Sequence, residues 1–90
     1  MPIKFHFTNI FHSKYQCMID KKEKRYSKEF GKRIKELRKE CEMSQSDLGG
    51  KAELEKTSIQ RIERGYNPTL KTIKKLADGL NVSMSKLFDF

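Results

Sequence analysis

Residues 45–64 carry the sequence QSDLGGKAELEKTSIQRIER, in which two short helical segments are separated by three residues. The first segment is predicted over 45–52 and the second over about 56–64, with a turn at 53–55. Five apolar residues are spaced so that the two helices share one buried corner: Leu48, Ala52, Leu54, Ile59 and Ile62. Burial of that corner fixes the orientation of the second helix relative to the first.

Residues suited to helix ends flank both segments. Ser44 and Asp47 have the spacing of a capping box, in which short polar side chains satisfy the first free amide groups of a helix. Gly65 follows the second segment and can adopt the left-handed conformation that closes a helix. These residues predict that the two helices begin and end where the apolar pattern does.

Helical spacing continues on the amino-terminal side of this corner. Phe30, Ile34, Leu37 and Cys41 recur at intervals of four, three and four residues, which predicts a first helix from Ser27. The thiol of Cys41 lies on this apolar stripe and is expected to pack as a small buried hydrophobe. Four basic side chains are then predicted to face outward: Lys28, Lys32, Lys35 and Lys39.

On the carboxy-terminal side, Thr69 opens a fourth helix, and Ser83 caps a short fifth helix that runs through Leu87. Asn81 tolerates a left-handed exit between them. The fourth helix has five residues that are predicted to face inward: Leu70, Ile73, Leu76, Ala77 and Leu80. The predicted fold class is therefore all-α, with five short helices in one compact domain over residues 27–90.

Taken together, these residues resemble the lambda-repressor and Cro family of helix-turn-helix domains, also called the XRE family. The resemblance rests on residues at the spacing of that family: Leu37-Arg38, Ser44-Gln45, Leu48, Ala52, Leu54, Ser58-Ile59, Arg61 to Gly65, Asn67-Pro68 and Leu76-Ala77. It implies a sequence-specific transcriptional regulator, a repressor that acts as a homodimer on double-stranded DNA. The second motif helix, at about 56–64, would enter the major groove.

The outward face of that second helix carries the candidate base contacts. On a helical wheel, Ile59 and Ile62 define the inward side. The opposite arc and the helix tip hold the side chains predicted to contact DNA bases: Lys56, Thr57, Gln60 and Arg61. Because any solvated helix face has a similar composition, a plain solvent-facing surface is the alternative.

Candidate phosphate contacts lie on both sides of the second helix. Gln45 begins the first motif helix, where free amide groups and the helix dipole favour a phosphate, and the resemblance implies the same role. Further phosphate contacts are predicted at the end of the second helix and beyond it: Arg64, Asn67, Thr69 and Lys71. For the two basic side chains among them, a solvated charge without a DNA contact is the alternative. The resemblance also implies an ion pair between Arg38 and Glu63, which we assign to the scaffold.

Two residues depart from the pattern of the family. Gly49 stands where alanine is usual, at a cost of about 0.5 to 1 kcal/mol in helix preference. Glu53 stands at a turn position that usually holds glycine, so either the backbone there is strained by about 1 to 2 kcal/mol or the turn relaxes.

Composition excludes several classes of function. The net charge of +8 comes from 20 Lys or Arg against 12 Asp or Glu, which suits a phosphate polyanion or an anionic membrane face. No apolar run approaches the roughly 20 residues of a membrane span, so a cytoplasmic protein without membrane contact is expected. His6 and His12 lie beside no nucleophile motif or carboxylate cluster, so neither an enzyme nor a cofactor is predicted. Cys17 and Cys41 form no close-spaced pair, which disfavours a zinc site made with these histidines.

Residues 1–26 are predicted to form an amino-terminal arm, because their sequence lacks the helical spacing of the residues that follow. Ile3, Phe5 and Phe7 alternate with polar residues, which is a strand pattern, and a strand needs a partner such as the same strand of a second subunit. The alternative is a mobile arm, and Met18 is an alternative natural start. Besides this strand, a carboxy-terminal apolar cluster is the other candidate dimer surface: Met84, Leu87, Phe88 and Phe90.

Three other functions remain open at this level. An antitoxin of a toxin and antitoxin pair would repress its own operon and also bind a protein. A protein-interaction module would keep the fold without binding DNA, although the basic face of the second motif helix argues against it. RNA binding is disfavoured because the basic face lacks aromatic stacking platforms.

Overall fold

The computed structural model describes residues 25–90, which fold into five helices. Helix α1 covers residues 25–40, and the others are α2 (Gln45–Ala52), α3 (Lys56–Glu63), α4 (Leu70–Leu80) and α5 (Met84–Leu87). The predicted all-α fold class is confirmed for this part of the chain. The strand predicted in the amino-terminal arm, together with His6, His12 and Cys17, lies outside the described residues.

Helix α2 packs against both α3 and α4, and α4 also packs against α5. The buried apolar residues come from all five helices: Phe30, Ile34, Leu37, Leu48, Ala52, Ile59, Ile62, Leu76, Ala77, Leu80 and Leu87. The corner predicted between α2 and α3 is present, with Leu54 half-buried against the same core. Burial on both sides of the turn therefore sets the direction of α3.

Left-handed backbone closes α2 and α4. Glu53, which stands in the usual place of a glycine, has φ 56° and ψ 42°, so the strained alternative for this turn is confirmed. Asn81 has φ 57° and ψ 45° and closes α4 as predicted. Glu42, just after α1, is a further left-handed residue with φ 56°, and the sequence pattern did not predict it.

Four expectations at the edges of the core were wrong. Helix α1 already includes residues 25–26, which were assigned to the arm. Cys41 is exposed because α1 ends before it and the chain turns at Glu42. Leu70 is 72% exposed because it is the first residue of α4 and precedes the turns that contact the core. Leu87 is fully buried, so it belongs to the core and not to a dimer surface.

Candidate nucleic-acid interface

The outer side of α3 carries the predicted base contacts. Ile59 and Ile62 are buried against the core and fix which side of the helix faces solvent. The structure brings the four predicted side chains together on that solvent side. Lys56, Thr57 and Arg61 are exposed, and Gln60 is half-buried. The result is one polar strip of donors and acceptors along an eight-residue helix.

The carboxyl end of α3 is held by an ion pair with α1. Arg38 donates from Nε to Glu63 Oε2 at 2.7 Å and from Nη2 to Glu63 Oε1 at 3.1 Å. Its Nη1 donates to the carbonyl oxygen of Met43 at 2.8 Å. The two charged side chains are only 10% and 5% exposed. Such a forked geometry satisfies the buried guanidinium and carboxylate together.

Gln45 links the start of α2 to the same carboxylate. Its Nε2 donates to Glu63 Oε1 at 3.1 Å, and the residue is half-buried. A glutamine amide has two N–H donors, so this bond engages one and leaves the other. The predicted phosphate contact at Gln45 is thus joined directly to the Arg38–Glu63 pair.

Close backbone packing also fixes the carboxyl end of α3. Helix α1 passes so near that a Cβ atom on Gly31 would collide with the carbonyl oxygen of Ile62. Gly65 closes the helix with φ 107°, as predicted, and a Cβ atom there would lie 2.9 Å from Lys28 Cγ. This end of α3 therefore has little freedom to tilt.

The remaining predicted phosphate contacts are exposed between the end of α3 and the first turn of α4: Arg64, Asn67, Thr69 and Lys71. The hydroxyl oxygen of Thr69 accepts from the backbone N–H of Thr72 at 3.2 Å and caps α4. The two threonine hydroxyls lie 3.0 Å apart, so Thr72 adds a polar group at this helix start. Sequence reasoning missed Thr72, although the spacing of the two threonines was a signal for it.

The amino end of α3 has no side-chain cap. Its N-cap residue is Glu55, whereas Ser44, Thr69 and Ser83 each cap the helix that follows them through a side-chain oxygen. The Thr57 hydroxyl donates to Glu55 Oε2, but the distance is long at 3.4 Å. The sequence pattern placed Glu55 only in the turn at 53–55 and gave it no role in the site.

Two reciprocal hydrogen bonds between Ser44 and Asp47 cap the start of α2. The backbone N–H of Ser44 donates to Asp47 Oδ2 at 3.0 Å, and the backbone N–H of Asp47 donates to Ser44 Oγ at 3.0 Å. The hydrogen bond from the Ser44 backbone, then the bond with the Ser44 side chain, and last the charge of Lys51 lower the pKa of Asp47 from its ordinary value. The capping carboxylate is therefore ionised at neutral pH.

Within residues 25–90, no group of three or more His, Cys, Asp or Glu side chains is arranged to hold a metal ion. None of the helices in that range combines the length and the apolar character that a membrane crossing requires.

Comparison with known proteins gives consistent matches. The helix-turn-helix family model matches residues 34–87. An immunity repressor protein of Bacillus phage phi105 is 40% identical over 58 residues, which are 63% of this chain and 40% of the relative. The chain thus spans less than half the length of that relative.

Solved structures of restriction-modification controller proteins have the same fold. That of C.AhdI from Aeromonas hydrophila superposes with a TM-score of 0.66 at 35% identity, covering 68% of this chain and 94% of the other. Wild-type C.Esp1396I superposes with a TM-score of 0.67 at 35% identity, covering 71% of this chain and 84% of the other.

Proposed function

Because this chain belongs to the XRE family of helix-turn-helix proteins and is a DNA-binding transcriptional regulator, we propose that it recognises a specific duplex sequence through α3. One observation carries this proposal. The four candidate side chains lie on one exposed strip of a helix whose opposite side and carboxyl end are fixed to the core. A rigid polar helix of this kind suits insertion into the major groove.

Each side chain on the strip suits particular base edges. Lys56 and Arg61 match the acceptors O6 and N7 of guanine, and Arg61 can make both bonds at once. Gln60 suits the paired donor and acceptor of adenine, while the methyl group of Thr57 suits that of thymine. These are the direct contacts that give sequence preference, and we assign them to the exposed face of α3.

Phosphate contacts on both sides would fix the register of α3 in the groove. We assign one contact to the remaining amide donor of Gln45, at the start of α2. The others belong to the exposed stretch that leads into α4: Arg64, Asn67, Thr69 and Lys71. Arg38 and Glu63 contact no DNA in this proposal, because both side chains are buried and paired with each other.

A homodimer is the active form in this proposal, since one eight-residue helix contacts too few bases for useful specificity. We assign the dimer contact to the exposed aromatic surface formed by Tyr26, Phe88 and Phe90. Tyr26 and Phe90 pack edge to face with ring centroids 5.9 Å apart, and Phe88 packs at 5.1 Å on the buried ring of Phe30. All three residues of this surface are at least 46% exposed. Half-sites would then lie about one helical turn apart.

The named relative is an immunity repressor, which supports repression as the direction of control. A repressor of this design would occupy its operator and exclude polymerase. Light scattering on the free protein tests the dimer, and Phe90→Ser should shift the measured mass toward that of one chain.

Selection of bound duplexes from a random pool tests the central proposal. The expected result is one enriched, partly palindromic sequence, bound more tightly than a scrambled duplex of the same composition. Affinity of the dimer for the selected duplex should fall by about 100-fold as salt rises from about 50 to about 200 mM, because the four cationic phosphate contacts, Arg64 and Lys71 of each chain, release counterions. An unenriched pool, or affinity that stays flat with salt, would contradict the proposal.

A further inference from the structure

An exposed carboxylate lies at the tip of the helix that is proposed to enter the major groove. Glu55 is the N-cap residue of α3, with extended backbone at φ −74° and ψ 150°, and it is exposed. Its side chain makes no cap bond, and neither of the two ion pairs found within residues 25–90 involves it. The only side-chain bond made to it there is the long one from the Thr57 hydroxyl.

We propose that Glu55 makes the regulator select cytosine at one position of each half-site, by accepting a hydrogen bond from the cytosine N4 amino group. This inference rests on the proposed insertion of α3 into the major groove. It adds to the predicted base contacts a specificity-determining residue of the opposite charge.

The chemistry of the base edges favours cytosine. An ionised carboxylate only accepts hydrogen bonds. In the major groove, guanine offers the acceptors N7 and O6, and thymine offers the acceptor O4 and a methyl group. Adenine offers its N6 amino donor beside the acceptor N7, whereas cytosine offers the N4 donor alone. Cytosine is thus the base whose edge meets a carboxylate without an opposing lone pair.

The position of Glu55 makes this contact geometrically available. It directly precedes Lys56 and lies two residues before Thr57, both of which are exposed candidates for base contact at the same tip. A recognition helix presents its amino-terminal residues to base edges, so Glu55 enters the groove together with them. The carboxylate also repels phosphates, so it lowers affinity for every sequence except one that supplies a donor.

A purely structural role makes a different prediction. A negative charge at the amino end of α3 interacts favourably with the helix dipole, whatever DNA is bound. In that case, removal of the charge would lower the melting temperature of the free protein and leave base preference unchanged. The two roles are therefore separated by base preference, which a helix-dipole effect does not move.

The chain offers a matched control in the same turn. Glu53 is also exposed and acidic, and it lies two residues before Glu55. Both Glu53→Gln and Glu55→Gln remove one negative charge near the DNA, so both should raise affinity for random duplex by a similar factor. Glu55→Ser is a further variant, because serine is a preferred N-cap residue and keeps the start of α3 folded without the carboxylate.

The experiment measures binding of wild type and the three variants to the selected duplex and to duplexes changed at each position in turn. Wild type should prefer cytosine at one position by about 5- to 100-fold. Both Glu55→Gln and Glu55→Ser should lose that preference, while Glu53→Gln keeps it. Circular dichroism melts of each variant confirm that the protein compared is folded.

Three results would overturn the inference: no cytosine preference in the wild type, a preference that survives in both Glu55 variants, or one lost equally in Glu53→Gln. A wild type that selects other bases would leave the proposed function standing and reject only the role of Glu55. A wild type without preference at any position would overturn both.

Discussion

The two ends of α3 differ sharply in how they are held. At the carboxyl end, Glu63 is bonded to Arg38 and Gln45, and Gly31 brings the backbone of α1 against the carbonyl groups of the last turn. At the amino end, Glu55, Lys56 and Thr57 are exposed, and no side chain caps the helix. The helix is fixed at one end and presents its other end to solvent.

This difference explains how a small domain can position a recognition helix. Side chains that read base edges must stay exposed in the unbound protein, so those at the amino end of α3 cannot also fix the helix through buried contacts of their own. Rigid support comes instead from the buried ion pair, about two helical turns away along the same helix. Precise contacts require such support from packing and hydrogen bonds behind the binding surface.

Removal of the support at the fixed end should have the largest effect. Glu63→Ala leaves the buried guanidinium of Arg38 without its partner, which should lower the free energy of unfolding by about 3 to 5 kcal/mol. Urea denaturation measures this loss. The control is Asp78→Ala, which breaks the exposed pair with Lys74 and should cost about 0.5 kcal/mol or less. Equal losses in the two variants would show that the fixed end is not held by the buried pair.

A substitution on the exposed strip should affect binding but not folding. Arg61→Ala should cost about 1 to 3 kcal/mol of binding free energy on the selected duplex and relax preference at one base pair. The free energy of unfolding should stay within about 0.5 kcal/mol of wild type, because this side chain is exposed. Calorimetric or fluorescence titration on specific and random duplexes measures the difference.

Gln45→Ala is the matched comparison for Arg61→Ala. It removes a proposed phosphate contact and should weaken binding to all sequences alike. It also removes the bond to Glu63, so it should lower stability by about 0.5 to 1.5 kcal/mol. If Arg61→Ala loses as much on random duplex as on the selected one, Arg61 does not contact a base.

Two neighbouring glycines in α2, which packs against the recognition helix, should respond to alanine substitution with stability changes of opposite sign. A Cβ atom on Gly49 would lie 2.8 Å from the carbonyl oxygen of Leu54, so Gly49→Ala should destabilise the domain by about 1 to 2 kcal/mol and shift the turn into α3. Gly50 has no atom within 4 Å of such a Cβ, and Gly50→Ala should stabilise by about 0.5 to 1 kcal/mol. Thermal melts compare the two, and the same sign for both would contradict the close approach.

Local sequence signals predicted most of the fold. The bounds of α2, the cap at Ser44 and the left-handed exit at Asn81 depend on a few neighbouring residues and were predicted, and the left-handed backbone at Glu53 was one of two alternatives. Leu70 and Leu87 were misplaced because both lie at helix ends, where burial depends on which neighbouring element reaches them. Periodicity indicates which face of a helix is apolar but not how far along the helix the core extends.

The candidate interface shows the same limit. The exposed face of α3 follows from the positions of its two isoleucines, so its residues could be named from the sequence. The bond from Gln45 to Glu63 joins residues 18 apart and could not. For Gly49, helix propensity alone implies a gain from alanine, and only the distance to the backbone of the turn reverses the expected sign.

The smallest expected effect is on the stability of the capped start of α2, which differs from the uncapped start of α3. The pKa of Asp47 is lowered in the folded protein chiefly by the backbone N–H of Ser44, so its ionised form stabilises the fold. A lowered pKa gives stability that is complete above the ordinary carboxyl pKa and is lost as pH falls through the folded value.

Wild type should therefore be more stable than Asp47→Asn at neutral pH, and the gap should narrow as pH falls below about 4. Denaturation curves of both proteins at a series of pH values measure the gap. A gap that stays constant down to low pH would mean that the charge of Asp47 does not support the helix start. The start of α2 would then be stabilised by the Ser44 side chain alone, through its bond from the backbone N–H of Asp47.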